Sequence, residues 1–203
     1  MDLKTIAANQ LKPLIAGQPT TNLGELWKND SCVLVFFRRW GCVFCRLWAK
    51  EVSEIAPILK KHDVKLIGIG LEDLGAEEFK DGKFFDGELY TAATKDTYNF
   101  LGFKRSSFLS VMASMLWKES RDAIWKSRHL GIEGNLKGDA LQYGGALIVG
   151  KGGNLLSHFV QNGPAHHMSN AAILKALGLE DELKSLPNSA DPDIVTSEGE
   201  SKK

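Results

Sequence analysis

The stretch that most constrains this chain is an apolar run, "CVLVFF" at Cys32–Phe37, which gives way at once to "RRWGCVFCR" at Arg38–Arg46. Ser31–Phe37 lacks polar alternation, as expected of a strand buried on both faces. Beyond it, Phe44, Leu47, Trp48, Val52, Ile55, Ile58 and Leu59 recur at three and four residues. That spacing predicts a helix over Cys42–Lys61, kinked at Pro57. A strand hidden on both faces needs neighbouring strands and a helical layer on each side, so the run by itself points to an α/β sheet.

The rest of the chain supplies those layers. Val64–Gly70 and Glu88–Ala92 read as further buried strands. Gly75–Lys80, Thr94–Leu101 and Phe108–His129 read as helices, the second ended by Gly102. Ala146–Val149 and Leu155–Val160 flank "GKGGN", a hairpin signal. Ser169 or Asn170 caps a last helix through Leu177, with Gly178 at its end. Residues 1–30 read as a short extended piece, a turn at Gly17-Gln18-Pro19 and a helical segment at Leu23–Trp27. Parallel strands joined through helices, followed by an antiparallel hairpin, predict a central mixed sheet with helices on both faces. The 203 residues suit one core. The expected organisation is a single domain over 1–180 and a disordered polar tail over 181–203.

Composition excludes some partners. Lys plus Arg equals Asp plus Glu, so nothing global directs the chain to nucleic acid. No apolar run approaches the roughly 20 residues of a membrane span. The N-terminus lacks the apolar stretch of a secretion signal, and three cysteines are the wrong number for a disulfide framework. A reducing cytoplasmic setting with free thiols is expected.

In that setting the Cys-x-x-Cys pair draws chemistry. Cys42 opens the helix, where bare N–H groups and the helix dipole favour a thiolate. Gly41 offers no side-chain oxygen to occupy those groups, and nearby arginines push the same way. Cys45 lies on the same helix face, close enough for a disulfide. Cys42, at the exposed tip, is the expected nucleophile and Cys45 the resolving thiol. Two plainer readings stay open: half of a zinc site, or two core cysteines. Zinc needs two more ligands, and the five histidines show no second paired motif. Cys32 reads as a core residue, His166-His167 as a solvated loop, and Arg38 and Arg39 as either a charged strand end or groups that tune a thiol.

The stretches "RRWGCVFCR", "GELYTAATKDTYNFLGFKR", "GIEGNLKGDALQYGGALIVGKGG" and "HFVQ" occur in that order between about residues 31 and 179. In these the chain resembles the peroxiredoxin-like subfamily of the prostamide/prostaglandin F synthase type. The resemblance implies a thioredoxin-like fold and a cytoplasmic oxidoreductase. The implied substrate is the lipid endoperoxide of prostaglandin H or its ethanolamide, reduced to the F-type product. Cys42 and Cys45 match the redox pair, and reducing power is implied to come from NADPH through thioredoxin or a similar thiol donor. "GKGGN" lies in an expected hairpin, so direct dinucleotide binding is not read here.

A lipid substrate needs an apolar groove. Trp40, Phe44, Phe108, Met112 and Met115 are candidates for its wall, with ordinary core packing the plainer and favoured reading, and Arg39, Lys104 or Arg105 are candidates for a carboxylate head. Gly144 and Gly145, also expected at the substrate, stand in "LQYGG", where thioredoxins carry a cis-proline facing the cysteines. Arg39 stands three residues before Cys42, where typical peroxiredoxins have threonine. The alternatives are a broader thiol peroxidase acting on hydroperoxides, and a non-enzymatic module switched by the cysteine pair.

Overall fold

A computed structural model describes residues 3–15 and 17–185. Two short strands, β1 (Gln10–Pro13) and β2 (Thr21–Asn22), precede α1 (Leu23–Leu26). The central unit follows: β3 (Ser31–Phe37), α2 (Val43–Ser53), α3 (Ala56–Lys61), β4 (Val64–Gly70), α4 (Ala76–Asp81), β5 (Glu88–Ala92) and α5 (Asp96–Phe100). Two helices, α6 (Phe108–Ser114) and α7 (Lys118–His129), lead to the hairpin β6 (Gly145–Gly150) and β7 (Asn154–Val160), then α8 (Asn170–Ala176). A 3₁₀ turn at Glu180–Ser185 ends the described chain. The rest of the expected tail, 186–203, lies outside the described residues.

One seven-stranded sheet runs β2-β1-β5-β4-β3-β6-β7. β3 pairs in parallel with β4, and β4 with β5, while β6 runs antiparallel to β3. The sheet is therefore mixed, as the alternation and the hairpin signal require, and the α/β class is established. β3 shows why its sequence lacks polar alternation. Val33, Val35 and Phe37 enter one core with α2, α3 and α8, whereas Cys32, Leu34 and Phe36 enter the other with α5 and α1. Cys32 is fully buried, and burial pushes its thiol up to about 12.

Two expected helices are each divided. The Cys42–Lys61 segment breaks at Glu54–Ile55, because Pro57 has no N–H to give the Ser53 carbonyl. Pro57 instead stands in the first turn of α3, where a missing donor costs nothing. The Phe108–His129 segment breaks at 115–117. There the Ser120 hydroxyl takes the Ser114 carbonyl (2.7 Å), a group the continuing helix would have used.

Tyr98 from α5 closes the carboxyl end of the sheet. Its hydroxyl donates to the carbonyls of Phe37 (2.7 Å) and Ile69 (2.9 Å), tying the ends of β3 and β4 together. The turn that carries the cysteines leaves from this point.

Candidate active site

The chain leaves β3 at Phe37, turns through 38–41, and enters α2 with Cys42 as N-cap. Cys42 has extended backbone (φ −74°, ψ 125°), and its carbonyl accepts the first helical bond from Arg46 N–H at 3.0 Å. Its sulfur makes no capping hydrogen bond of ordinary geometry, although the Cys45 amide lies close enough to favour the thiolate. All three cysteines are free thiols.

The two thiols are driven apart in acidity. Cys42 is held well below the ordinary thiol range, chiefly by a hydrogen bond from the Cys45 thiol. Arg38, the backbone amide of Cys45 and Arg39 act in the same sense, against the opposing effect of burial. Cys45 is pushed well above the ordinary range, by burial first and by its bond to Cys42 second. One thiolate and one thiol in contact is the arrangement that attack followed by resolution needs.

Arg38 is buried, and all its nitrogens are committed. Nη1 lies 3.5 Å from Cys42 Sγ, Nη2 donates to the Ala140 carbonyl (2.7 Å), and Nε donates to that of Gln142 (3.2 Å). The guanidinium also stands 5.5 Å from the centre of the Tyr143 ring. The other two arginines beside the cysteines hold the same segment. Arg39 Nη1 donates to the Lys137 carbonyl (3.3 Å), and Arg46 Nη1 to that of Glu133 (2.7 Å). Arg46 also binds Glu78 (2.7 Å) and the Trp40 carbonyl (3.0 Å).

Residues 131–142 thus form a strap, tied at four carbonyls by three guanidinium groups. It lies directly on the helix start. Asn135 N–H donates to the Gly41 carbonyl (2.7 Å), a Cβ on Gly41 would run into the Asn135 side chain, and one on Gly134 would stand 2.8 Å from Val43 N. Two glycines permit this approach. One expectation is corrected at this helix start. Cys42 was expected at an exposed tip, yet it is 3% exposed and Cys45 1%. A surface cavity of about 760 Å³ lies at the amino ends of β3, β4 and β5 (Asp30, Val64, Glu88), opposite the cysteines.

Comparison with known proteins places the chain in a family. Residues 51–163 match the AhpC/TSA antioxidant enzyme model. The prostamide/prostaglandin F synthase of Homo sapiens is 44% identical over 184 residues, covering 90% of this chain and 92% of that protein. The protein of the same name from Danio rerio is 44% identical over 180 residues, covering 88% and 89%. The chain belongs to the AhpC/TSA family.

Within that family it is a member of the peroxiredoxin-like group of the prostamide/prostaglandin F synthases, and it is an oxidoreductase. Solved structures agree on the fold. Peroxidoxin BcpB from Mycobacterium tuberculosis gives a TM-score of 0.55 at 14% identity, covering 86% of this chain and 92% of that one. Peroxiredoxin Q from Xanthomonas campestris gives 0.54 at 12%, covering 88% and 94%. The family match begins at residue 51, after both Cys42 and Cys45, so the pair's chemistry rests on local geometry.

Several expected substrate residues have other work in this conformation. Trp40 is fully buried between Phe37 and Phe79, and its indole N–H donates to the Glu72 carbonyl (2.6 Å). It is a core residue, not a groove wall. Phe44 is 5% exposed and packs in the same core. Gly144 and Gly145 open β6 at a close crossing. A Cβ on the first would strike the Phe36 carbonyl and one on the second that of Phe159, which gives glycine a packing reason at both positions. Phe108 and Met112 face solvent, and Met115 is partly buried. Arg105 is paired with Asp139 (2.7 Å), and Arg39 is mostly buried, with Nε unpartnered among the described residues.

His167, expected in a solvated loop, is also corrected. Its ring stacks on Trp48 (4.9 Å, 5°), burial lowers its pKa to about 3, and the charge of Arg38 acts in the same sense. Its Nε2 is enclosed and without a partner among the described residues. The apolar loop around it, "GPAHHM", was the available signal. Among the described residues, no group of three His, Cys, Asp or Glu side chains could hold a metal ion, and no helix is long and apolar enough to cross a membrane.

Proposed function

We propose that this oxidoreductase reduces the endoperoxide bond of prostaglandin H, or of its ethanolamide, to the F-type diol, using Cys42 and Cys45 as a two-electron couple. The observation that carries the reading is the Cys42 sulfur, held between the Arg38 guanidinium and the Cys45 thiol. The names of the curated relatives supply the substrate class.

The Cys42 thiolate attacks one oxygen of the O–O bond. A sulfur–oxygen bond forms, the O–O bond breaks, and the electron pair leaves on the second oxygen as an alkoxide. That alkoxide takes the proton of the Cys45 thiol, its nearest acid. The Cys45 thiolate then attacks the Cys42 sulfur, the sulfur–oxygen bond breaks, and the remaining oxygen leaves and is protonated from solvent. The dithiol is oxidised to a disulfide while the endoperoxide is reduced to two hydroxyls. Arg38 and the Cys45 amide favour the negative charge on the Cys42 sulfur.

A thioredoxin-type dithiol, itself reduced by NADPH, returns the pair to the thiol state, in keeping with a cytoplasmic setting. Gly150–Asn154 joins two antiparallel strands, β6 and β7, rather than a strand to a helix. Because both sulfurs are covered, substrate entry requires the chain around them to open, and the strap at 131–142 packs on the helix start.

The family model favours a second reading, a broader peroxidase acting on hydroperoxides. A side-by-side turnover assay with prostaglandin H and tert-butyl hydroperoxide, both fed by thioredoxin, thioredoxin reductase and NADPH, separates the two. Preference for the endoperoxide, lost in Cys42→Ser, is expected. Faster turnover of the hydroperoxide overturns the endoperoxide reading.

A further inference from the structure

Eight of the twelve large hydrophobic side chains exposed among the described residues fall between Phe108 and Leu136, on α6, α7 and the strap. A concentration of this kind marks a surface that meets something. Phe108, Met112 and Leu116 recur at four residues, with Leu109 beside them, so they share one face and are 52–79% exposed. On α7, Trp125 is 64% exposed and lies against His129.

The charge of this segment is equally uneven. Between Lys104 and Lys137 there are seven Lys or Arg against three Asp or Glu, a net of +4 in a chain whose total is zero. Arg105, Lys126 and Lys137 are engaged by Asp139, Glu51 and Glu78. Of the three acids, Glu119 and Glu133 line depressions beside α2 and α4, and Asp122 is paired with Lys118. Arg121 and Arg128, four residues before Trp125 and three after it, have no ion pair among the described residues. The Trp125 face therefore presents an apolar ring within a basic rim.

We propose that the α6–α7 face docks the protein on an anionic phospholipid bilayer. Leu and Phe side chains suit the acyl boundary, tryptophan suits the headgroup level, and arginine pairs with lipid phosphate. A second copy of the chain fits less well, since a two-fold contact sets the patch against itself and brings the two basic rims together. α7 leads by chain into the strap beside the cysteines, so the proposed docking face is joined to the site through that segment. The inference rests on exposure and charge and stands apart from the thiol chemistry.

The test is flotation of the full chain with phosphatidylcholine vesicles, with and without phosphatidylserine, alongside brominated-lipid quenching of tryptophan emission. Binding is expected only with phosphatidylserine, and it weakens as salt rises. Leu109→Glu with Leu116→Glu, at positions 78% and 79% exposed, is expected to weaken it by at least about tenfold. Trp125→Phe is expected to remove most of the quenching, a readout that does not depend on the double variant folding. No flotation at physiological salt, or equal flotation of the folded double variant, overturns the proposal. So does a dimer, seen by light scattering, that the double variant dissolves, because the face then belongs to a second copy.

Discussion

Arg38 Nη1 stands 3.5 Å from Cys42 Sγ, while the same guanidinium grips the carbonyls of Ala140 and Gln142. One side chain thus adds to the Cys45 thiol in lowering the pKa of the candidate nucleophile and fastens the strap beside it. Acidity and access are linked through a single residue.

Replacing Arg38 with Lys keeps a charge but loses the fork that reaches sulfur and both carbonyls. A hydrogen bond to a charged group is worth about 1.5–3 kcal/mol. Alkylation of Cys42 as a function of pH is therefore expected to shift to higher pH, and turnover at neutral pH to fall by about 10- to 100-fold. An unshifted alkylation profile contradicts the role given to Arg38.

The strap can be loosened without touching that charge. Gly134→Ala places a methyl 2.8 Å from Val43 N, backbone that cannot yield. Overpacking of this kind costs about 1–3 kcal/mol. Faster alkylation of Cys42 at every pH is expected, with its midpoint unchanged. Unaltered rates in a folded variant show that the strap does not limit access.

Acid sensitivity follows from His167. Its folded pKa, lowered to about 3, lies below the unfolded value near 6.5. Between those values the unfolded chain binds a proton that the folded one refuses. The stabilisation is complete above pH 6.5 and is lost as pH falls toward 3, at no more than about 1.4 kcal/mol per pH unit. His158 and His166, also lowered by burial, add in the same direction. Urea midpoints between pH 7 and 4 should fall less steeply for His167→Phe, which keeps the stack on Trp48. An identical slope removes His167 from the account.

Tyr98→Phe removes one hydroxyl that serves the carbonyls of Phe37 and Ile69 at full burial. A loss of about 1–3 kcal/mol is expected, read as a lower urea midpoint at constant slope. A smaller slope instead would show that the native packing itself had loosened.

These expectations also mark what the sequence made legible. β3, β4, β5 and the hairpin were readable because local apolar patterning dictates them, and Cys42 at the start of α2 followed from the same pattern. The cover over the pair was not readable. Gly41 signalled an unoccupied helix start, but its own cause is Asn135, delivered by chain some ninety residues away. Arg38 and Arg39 look alike in sequence, and only the path of the strap decides which one reaches sulfur. Trp40 beside a cysteine resembled a substrate contact until Glu72 and Phe79 enclosed it.

The most direct test of the central claim is peptide mass mapping of the reduced protein after one equivalent of prostaglandin H, with product measured in the same sample. The account predicts one equivalent of F-type product and a Cys42–Cys45 peptide lighter by two hydrogens, with Cys32 still a free thiol. Product formed while Cys42 and Cys45 both remain alkylatable would contradict it.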